Sequence, residues 1–217
     1  MQTTPKLYAF PGSPNSRRVL AVVAHLGVDV DLQIIDLSKG QSRTPEYLEI
    51  NPMGRTPTLV DGDFVLWESN AIIQYLTDRA REAGHAEAAT LLPTDARGRA
   101  DVTRWQAWQM SHLGAAVQTI VYENLVKRMF MGQEPDAVEV ERGLRNYHPN
   151  AKFLDAHLNG RSWITGEHLT LADFAIAAVL MYAPMAGVPL EEYPNIRAWM
   201  GRMNELPAWK KSEPRMR

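Results

Sequence analysis

A serine stands between a strand-like segment and a helix-like segment near the start of the chain. Residues 6–10 (KLYAF) read as a strand, and apolar residues recur at helical spacing over 15–26, so Ser13 comes just before a helix. The free N–H groups and the dipole at a helix N-terminus favour an anion, and a thiolate is one such anion. Ser13 is therefore a candidate for binding a thiolate, although a serine in this place is also an ordinary helix cap.

Two further segments have residue types suited to binding a peptide. In residues 51–59 (NPMGRTPTL), Pro57 precedes a strand-like run, which suits either a cis turn or the first position of a strand. A cis turn would present the N–H and C=O of Thr56 to a peptide-like ligand, whereas an ordinary loop proline would not. Glu68 and Ser69 begin the next helix, where they could hold the ammonium and carboxylate of an amino acid, or Ser69 could simply be a cap.

The composition limits the chemistry that the chain can perform. Because there is no cysteine, the protein has no thiolate ligand and no cysteine nucleophile of its own, and any sulfur chemistry must use a borrowed thiol. A net charge of -2 provides no general attraction to nucleic acid or to an anionic membrane, and we predict neither as a partner. Six histidines without a tight pair spacing predict no metal site.

The elements around these residues predict two domains. Up to residue 82 the hydrophobic period alternates between two and 3.6, in the order β-α-β-α-β-β-α, with Gly27 ending the first helix and Asp61-Gly62-Asp63 forming a hairpin turn. Residues 83–94 are predicted to be a linker, and 95–217 an all-helical domain with a kink or break at Pro149. The N-terminus has no basic start followed by an apolar run, so we expect a soluble, cytoplasmic protein.

Five motifs occur in a characteristic order. They are SPNSRRV at 13–19, GQSRTPEY at 40–47, NPMGRTPTL at 51–59, Glu68-Ser69, and GEHLTLAD at 166–173. Together they resemble the cytosolic glutathione transferases over essentially the whole chain, in particular a bacterial-style member of the serine-type theta, delta and phi classes. The resemblance implies a thioredoxin-like N-terminal domain that binds glutathione, followed by a helical domain that binds a small hydrophobic electrophile. It also implies a homodimer.

The resemblance assigns roles to particular residues. Ser13 takes the place of the catalytic serine that activates the glutathione thiol, and the Thr56 backbone beside cis-Pro57 pairs with the cysteinyl unit. Glu68 and Ser69 bind the γ-glutamyl group, and Arg55 lies in the same binding region. The glycyl carboxylate is expected to depend on Arg43, because Ser42 stands where many relatives have histidine.

Alternatives remain open for the residue that contacts the sulfur and for the reaction. Asn15 and Ser16 also lie near enough to donate to it, whereas Tyr8 is out of register and would face the opposite side of its strand. Ser13-Pro14-Asn15 also resembles the Thr-Pro-Asn loop of glutathione-dependent disulfide reductases. A non-catalytic binding or scaffold protein with the transferase fold is the alternative outside enzymes.

The helical domain carries a candidate electrophile site and a folding motif. Trp108, His112 and Ala116 recur at helical spacing after Trp105, and such stripes are more often core than binding site, above all for Trp105. Thr170 and Asp173 are spaced as a capping box at the start of an almost wholly apolar helix, which we expect to be the buried core helix of this domain.

Overall fold

A computed structural model describes residues 4–214 of the chain as two compact units. The first unit runs to Leu92 and also includes the C-terminal segment from Leu206, and the second unit spans Pro93–Glu205. Among the described residues, no helix is long and apolar enough to cross a membrane.

A four-stranded sheet forms the centre of the first unit. Its strands are β1 (Lys6–Ala9), β2 (Asp31–Ile34), β3 (Thr58–Asp61) and β4 (Phe64–Trp67), in the order β2-β1-β3-β4. β1 pairs parallel with β2 and antiparallel with β3, and β3 pairs antiparallel with β4. Gly62 has the positive φ of 63° that the tight turn between β3 and β4 needs, which confirms the predicted hairpin.

The helices of the first unit up to Leu92 are α1 (Pro14–Leu26), α2 (Pro45–Ile50), α3 (Ser69–Glu82) and α4 (Ala88–Leu91), with 3-10 turns at Leu37–Lys39 and Gln41–Arg43. α1 ends at Gly27 in the left-handed conformation, as predicted. α1 and α3 pack against each other. Their apolar residues, such as Val22 and Ile72, are fully buried, as is Leu59 of the sheet. This core fixes the ends of both helices relative to the strands.

The second unit is helical, as the periodicity predicts. It contains α5 (Ala96–Trp108), α6 (Gly114–Val121), α7 (Ala137–Leu158), α8 (Leu171–Leu180), α9 (Ala183–Ala186) and α10 (Pro194–Glu205). Wider π-helical turns occupy Gln109–Leu113 and Tyr122–Met131, and a 3-10 turn occupies Leu190–Glu192. α8 is buried along nearly its whole length, which confirms its predicted place in the core.

Part of the segment expected to be a linker, 83–94, is packed structure. Ala88, Leu91 and Leu92 are fully buried, and the His85 ring lies 2.9 Å from the Leu26 carbonyl oxygen. Burying the two leucine side chains of this segment against the first unit removes apolar surface from water. The compact first unit therefore extends about ten residues beyond the expected boundary at 82.

The last part of the chain also differs from the expected helical domain of 95–217. Helix α11 (Pro207–Lys211) packs against α1 of the first unit. The Arg17 guanidinium lies 3.9 Å from the centre of the Trp209 ring and donates to Ser212 Oγ at 3.5 Å. This cation–π contact, between residues far apart in sequence, leaves no signal in local periodicity.

The expected break at Pro149 does not occur, because α7 runs through this residue as one helix of 22 residues. Pro149 has no N–H to donate within the helix. In the same turn the Asn150 side-chain amide donates to the Asn146 carbonyl at 2.8 Å, which supplies an extra hydrogen bond where the helical pattern is interrupted.

The predicted capping box of Thr170 and Asp173 is confirmed at the start of α8. Asp173 is fully buried, and its Oδ2 accepts from the Thr170 N–H at 2.9 Å. Its Oδ1 accepts from the Ile164 N–H and from the Trp199 indole N–H, both at 2.9 Å. The carboxylate thus connects a loop, a helix start and a distant tryptophan within the second unit.

Candidate active site

Strand register brings four of the predicted site segments to the same end of the sheet. Ala9, the last residue of β1, pairs with Ile34, the last residue of β2. Thr58, the first residue of β3, pairs with both Tyr8 of β1 and Trp67 of β4. The segments that follow β1, β2 and β4 and the segment that precedes β3 therefore converge. These are the segments that contain Ser13, Arg43, Glu68 and Thr56.

Ser13 is the residue before α1 and is half-buried. Its backbone is extended, with φ −85° and ψ 131°, and its side chain makes no capping hydrogen bond, although capping is the ordinary role of a serine at this position. Pro14 occupies the first helical position, where a missing N–H leaves no helical hydrogen bond unmade. The Ser13 hydroxyl can therefore donate to a ligand at the helix N-terminus.

The two alternatives to Ser13 have different environments. Ser16 is fully buried, and its Oγ accepts from the Phe10 N–H at 3.3 Å, so it holds the end of β1. The prediction that Ser16 could contact a thiolate is wrong for this geometry, because the first turn of α1 directs its side chain into the core. Asn15 is exposed and remains a candidate.

The Thr56-Pro57 peptide bond is cis, as the resemblance to the glutathione transferases implies. Strand pairing begins at Thr58, so the main chain of Thr56 lies outside the sheet ladder. The Arg55 side chain is exposed, and its carbonyl accepts from the Tyr47 hydroxyl at 2.7 Å and from the Asn51 amide at 2.9 Å.

Sequence reasoning missed the polar cluster that supports this turn. The Tyr47 and Thr58 hydroxyl oxygens are 3.0 Å apart, and the Asn51 amide donates to the same Thr58 oxygen at 2.9 Å. All three side chains are buried, and this burial raises the pKa of Tyr47. The signal in the sequence that could have predicted this cluster was the presence of polar residues between apolar positions in a short segment. The cluster holds the Arg55 carbonyl, one residue before Thr56.

Glu68 has a strained backbone at the start of α3. Among residues 4–214 it is the one non-glycine residue with a positive φ, at 73°. Such conformations are enriched at functional sites. The Glu68 side chain is exposed, whereas Ser69 is buried and its Oγ accepts from Arg18 Nη1 at 3.3 Å.

Arg18 is a second residue that sequence reasoning missed. It is only 2% exposed, and its Nη1 also donates to Asn70 Oδ1 at 2.8 Å. Burial lowers the pKa of Arg18 to about 10, and the charge of Glu68 partly opposes this shift. The sequence could have predicted that Arg18 is buried, because Arg18 lies one turn before Val22 on the apolar side of α1.

Arg43 is exposed beside the turn that precedes Thr56. Its Nη1 donates to the Met53 carbonyl at 3.3 Å, and a Cβ placed on Gly54 would lie 2.6 Å from the same nitrogen. Gly54, with φ 59°, therefore allows the guanidinium to approach closely. Ser42 is buried, so Arg43 is the better placed of the two to meet a carboxylate.

The three residues predicted to bind an electrophile do not form one exposed stripe. Trp108, His112 and Ala116 lie along one continuous run of helix, which is π-helical over Gln109–Leu113. His112 is exposed, Trp108 is half-buried, and Ala116 is only 3% exposed. Ala116 is therefore wrong as a pocket-lining residue in this structure, because its side chain is in the core.

An aromatic cluster accounts for part of this stripe. The Trp105 ring centre lies 5.3 Å from that of Trp108, 5.8 Å from that of Phe153 and 4.3 Å from that of His157. Trp105 is buried, which agrees with its expected place in the core. In the part of the chain that the structure describes, no group of His, Asp and Glu residues could hold a metal ion.

Comparisons with known proteins give one consistent result. Residues 3–78 match the family model for the N-terminal domain of glutathione S-transferase, and residues 117–207 match the model for its C-terminal domain. Glutathione S-transferase 3 of Zea mays is 33% identical over 95% of this chain and 92% of its own length. Glutathione S-transferase D7 of Drosophila melanogaster is 29% identical over 95% of this chain and 87% of its own length.

Solved structures agree with these relatives. A delta-class glutathione transferase of Nilaparvata lugens is 33% identical with a TM-score of 0.81, covering 96% of this chain and 92% of its own. Glutathione S-transferase-I, whose structure contains lactoylglutathione, is 28% identical with a TM-score of 0.81, covering 97% of this chain and 98% of its own.

Proposed function

Because this chain belongs to the glutathione S-transferase family, we propose that it activates the glutathione thiol through Ser13 for attack on a small hydrophobic electrophile. The observation that carries this proposal is the Ser13 hydroxyl at the start of α1, which is not used as a cap. The first unit would bind glutathione and the second unit the electrophile.

Ionisation of the thiol is the chemical problem that this geometry addresses. A free alkyl thiol has a pKa of about 8.5, so only about 3% of it is thiolate at pH 7. Lowering the pKa by about two units requires about 2.7 kcal/mol. A hydroxyl that donates to the thiolate contributes about 1.5 to 3 kcal/mol, and a helix N-terminus about 0.3 to 1 kcal/mol. The two together are sufficient.

The reaction needs no covalent bond to the protein. The thiol proton leaves to solvent, and a sulfur lone pair of the thiolate forms the new carbon–sulfur bond. With an aryl halide, the halide departs with the electron pair of the bond that breaks. Ser13 keeps its own proton throughout and donates a hydrogen bond to the sulfur.

The remaining predicted residues complete the site. Thr56, beside cis-Pro57, would pair with the cysteinyl main chain, since its own main chain lies outside the sheet ladder. Glu68 and Ser69 would bind the γ-glutamyl group, and the exposed guanidinium of Arg43 the glycyl carboxylate. Arg55 is also part of the proposed site, because its side chain is exposed and could contact the ligand.

His112 is the better candidate for contact with the electrophile. Its side chain is exposed on the π-helical segment, so a hydrophobic substrate could contact it. Trp108, although half-buried and packed against aromatic neighbours, keeps part of its ring accessible and stays in the proposal.

Glutathione titration followed by two turnover assays tests this function. We expect calorimetry to detect glutathione binding, and turnover with an aryl halide to exceed turnover with a small disulfide. Reduction of the disulfide without conjugation would contradict our assignment and favour the reductase. Absence of glutathione binding would contradict both activities and favour a scaffold protein.

A homodimer is the assembly that we propose. β4 is an edge strand of the sheet, and its Phe64, Val65 and Trp67 are 46%, 40% and 43% exposed. Exposed apolar side chains on a sheet edge favour association with another chain. In sedimentation experiments the parent protein should be a dimer, and Trp67→Glu should dissociate into monomers more readily. A parent that sediments as a monomer at micromolar concentration would exclude this assembly.

A further inference from the structure

Arg18 places a positive charge in the interior of the first unit. Its side chain is 2% exposed, and Nη1 donates to Asn70 Oδ1 at 2.8 Å and to Ser69 Oγ at 3.3 Å. With a pKa lowered by burial to about 10, the guanidinium stays charged at neutral pH. A buried charge is costly unless it is held by hydrogen bonds, so these two contacts fix the positions of Ser69 and Asn70.

The guanidinium also determines the direction of its partners' hydrogen bonds. Arginine has donors and no acceptor, so Asn70 must turn its amide oxygen toward Arg18, and Ser69 must offer an oxygen lone pair. The hydroxyl hydrogen of Ser69 is then directed away from the guanidinium. Arg18 in this way prepares Ser69 to donate a hydrogen bond to an anionic group.

The same contacts stabilise the corner at which Glu68 is strained. Glu68 has φ 73° and ψ 107°, and it immediately precedes Ser69. A non-glycine residue keeps such a conformation only when the surrounding structure holds it there. Arg18 reaches from α1 to the first two residues of α3, so it ties this corner to the helix that follows Ser13.

We propose that Arg18 is a positioning residue for the γ-glutamyl group of glutathione, acting through Ser69 and Asn70. This inference rests on the function proposed above, in which Glu68 binds the ammonium and Ser69 the carboxylate of that group. Arg18 is buried beneath these residues and need not touch the ligand. Its removal should therefore weaken recognition of the γ-glutamyl unit and leave the chemistry at the sulfur nearly unchanged.

The test compares glutathione with cysteinylglycine, which lacks the γ-glutamyl unit. In Arg18→Met we expect the glutathione Kd to rise about 10- to 100-fold, as loss of a charge-assisted hydrogen-bonding group would produce. The cysteinylglycine Kd should stay within about twofold, and kcat at saturating glutathione within about threefold. Arg18→Lys keeps the charge without the planar fork and should recover part of the glutathione affinity.

Arg17→Met is the matched control. Arg17 is the preceding residue of the same helix and is also buried, but it packs on Trp209 and bonds to the C-terminal segment. The same chemical change at this position should lower stability and leave both Kd values within about twofold of the parent.

Each outcome decides for or against the proposal. Equal weakening of both peptides, or no change in either, would overturn the role of Arg18 and leave the proposed transferase function intact. A parent protein that does not bind glutathione would overturn that function first, and this inference with it. If Arg18→Met does not fold, Asn70→Ala decides the question, because it removes the acceptor at 2.8 Å. It should weaken glutathione binding several-fold and spare cysteinylglycine, and unchanged affinities would overturn the proposal.

Discussion

Replacing Asp173 with alanine should destabilise the protein more than loss of an ordinary helix cap. The Asp173 carboxylate is fully buried and accepts three N–H groups, from Ile164, Thr170 and the Trp199 indole, each at 2.9 Å. It also accepts the Thr170 hydroxyl at 3.2 Å. Alanine would leave the three buried N–H donors without their acceptor.

The magnitude follows from those donors. A buried donor left unpaired costs about 1 to 3 kcal/mol, so three of them cost at least about 3 kcal/mol. The Thr170 hydroxyl is excluded from this sum, because it can rotate to another partner such as Thr165 Oγ1 at 3.3 Å. Water entering the space left by the carboxylate limits the upper end. We expect the free energy of unfolding to fall by about 3 to 5 kcal/mol, a large part of the usual 5 to 15 kcal/mol.

Urea unfolding followed by circular dichroism measures this loss, and Asp155→Ala is the matched control. Asp155 accepts from the Asn195 and Ile196 N–H groups at 2.8 and 3.0 Å but is only half-buried, so its removal should cost about 0.5 to 2 kcal/mol. Equal losses in the two variants would refute the argument from burial. The folded fraction of Asp173→Ala should bind glutathione like the parent, and failure to bind would place Asp173 in the active site.

Three further predictions concern the site and pH. Ser13→Ala should lower turnover at pH 7 and raise the pKa of the bound thiol by roughly one unit or more, with little change in the glutathione Kd. Asn15→Ala should keep the full rate. Stopped-flow titrations that show the reverse result would assign the hydrogen bond to Asn15 instead. Arg43→Met and Glu68→Gln should each weaken glutathione binding by about 1 to 3 kcal/mol, and unchanged calorimetric Kd values in both would exclude the proposed site. Burial raises the folded-state pKa of Asp173 from 3.8 to about 6, so between these values the folded state holds a proton that the unfolded state has lost. The free energy of unfolding should therefore fall by up to about 3 kcal/mol as pH rises through this window. Urea unfolding at pH 4 and pH 7 measures this decrease, and Asp173→Asn should lack the contribution of this carboxyl group.

The features that the sequence alone determined are those that depend on near neighbours. The order of strands and helices follows from periodicity, and the turns at Gly27 and Gly62 follow from a positive φ that glycine adopts without strain. The capping box of Thr170 and Asp173 involves residues three apart, so its two partners are visible together in the sequence. The site motifs were recognisable because each lies within one short segment.

Tertiary structure alone decided which of these residues are accessible and what they contact. The sequence assigned the thiolate contact to Ser13 and left Ser16 open as an alternative, but the first turn of α1 buries Ser16 against the end of β1. Trp108, His112 and Ala116 recur at helical spacing in the sequence, but the structure exposes His112 and buries Ala116. Arg18 donates to Asn70, which is 52 positions away in the sequence, and Arg17 donates to Ser212, which is 195 positions away. Burial and pairing over such separations depend on how the helices pack, and local propensity has no information about that packing.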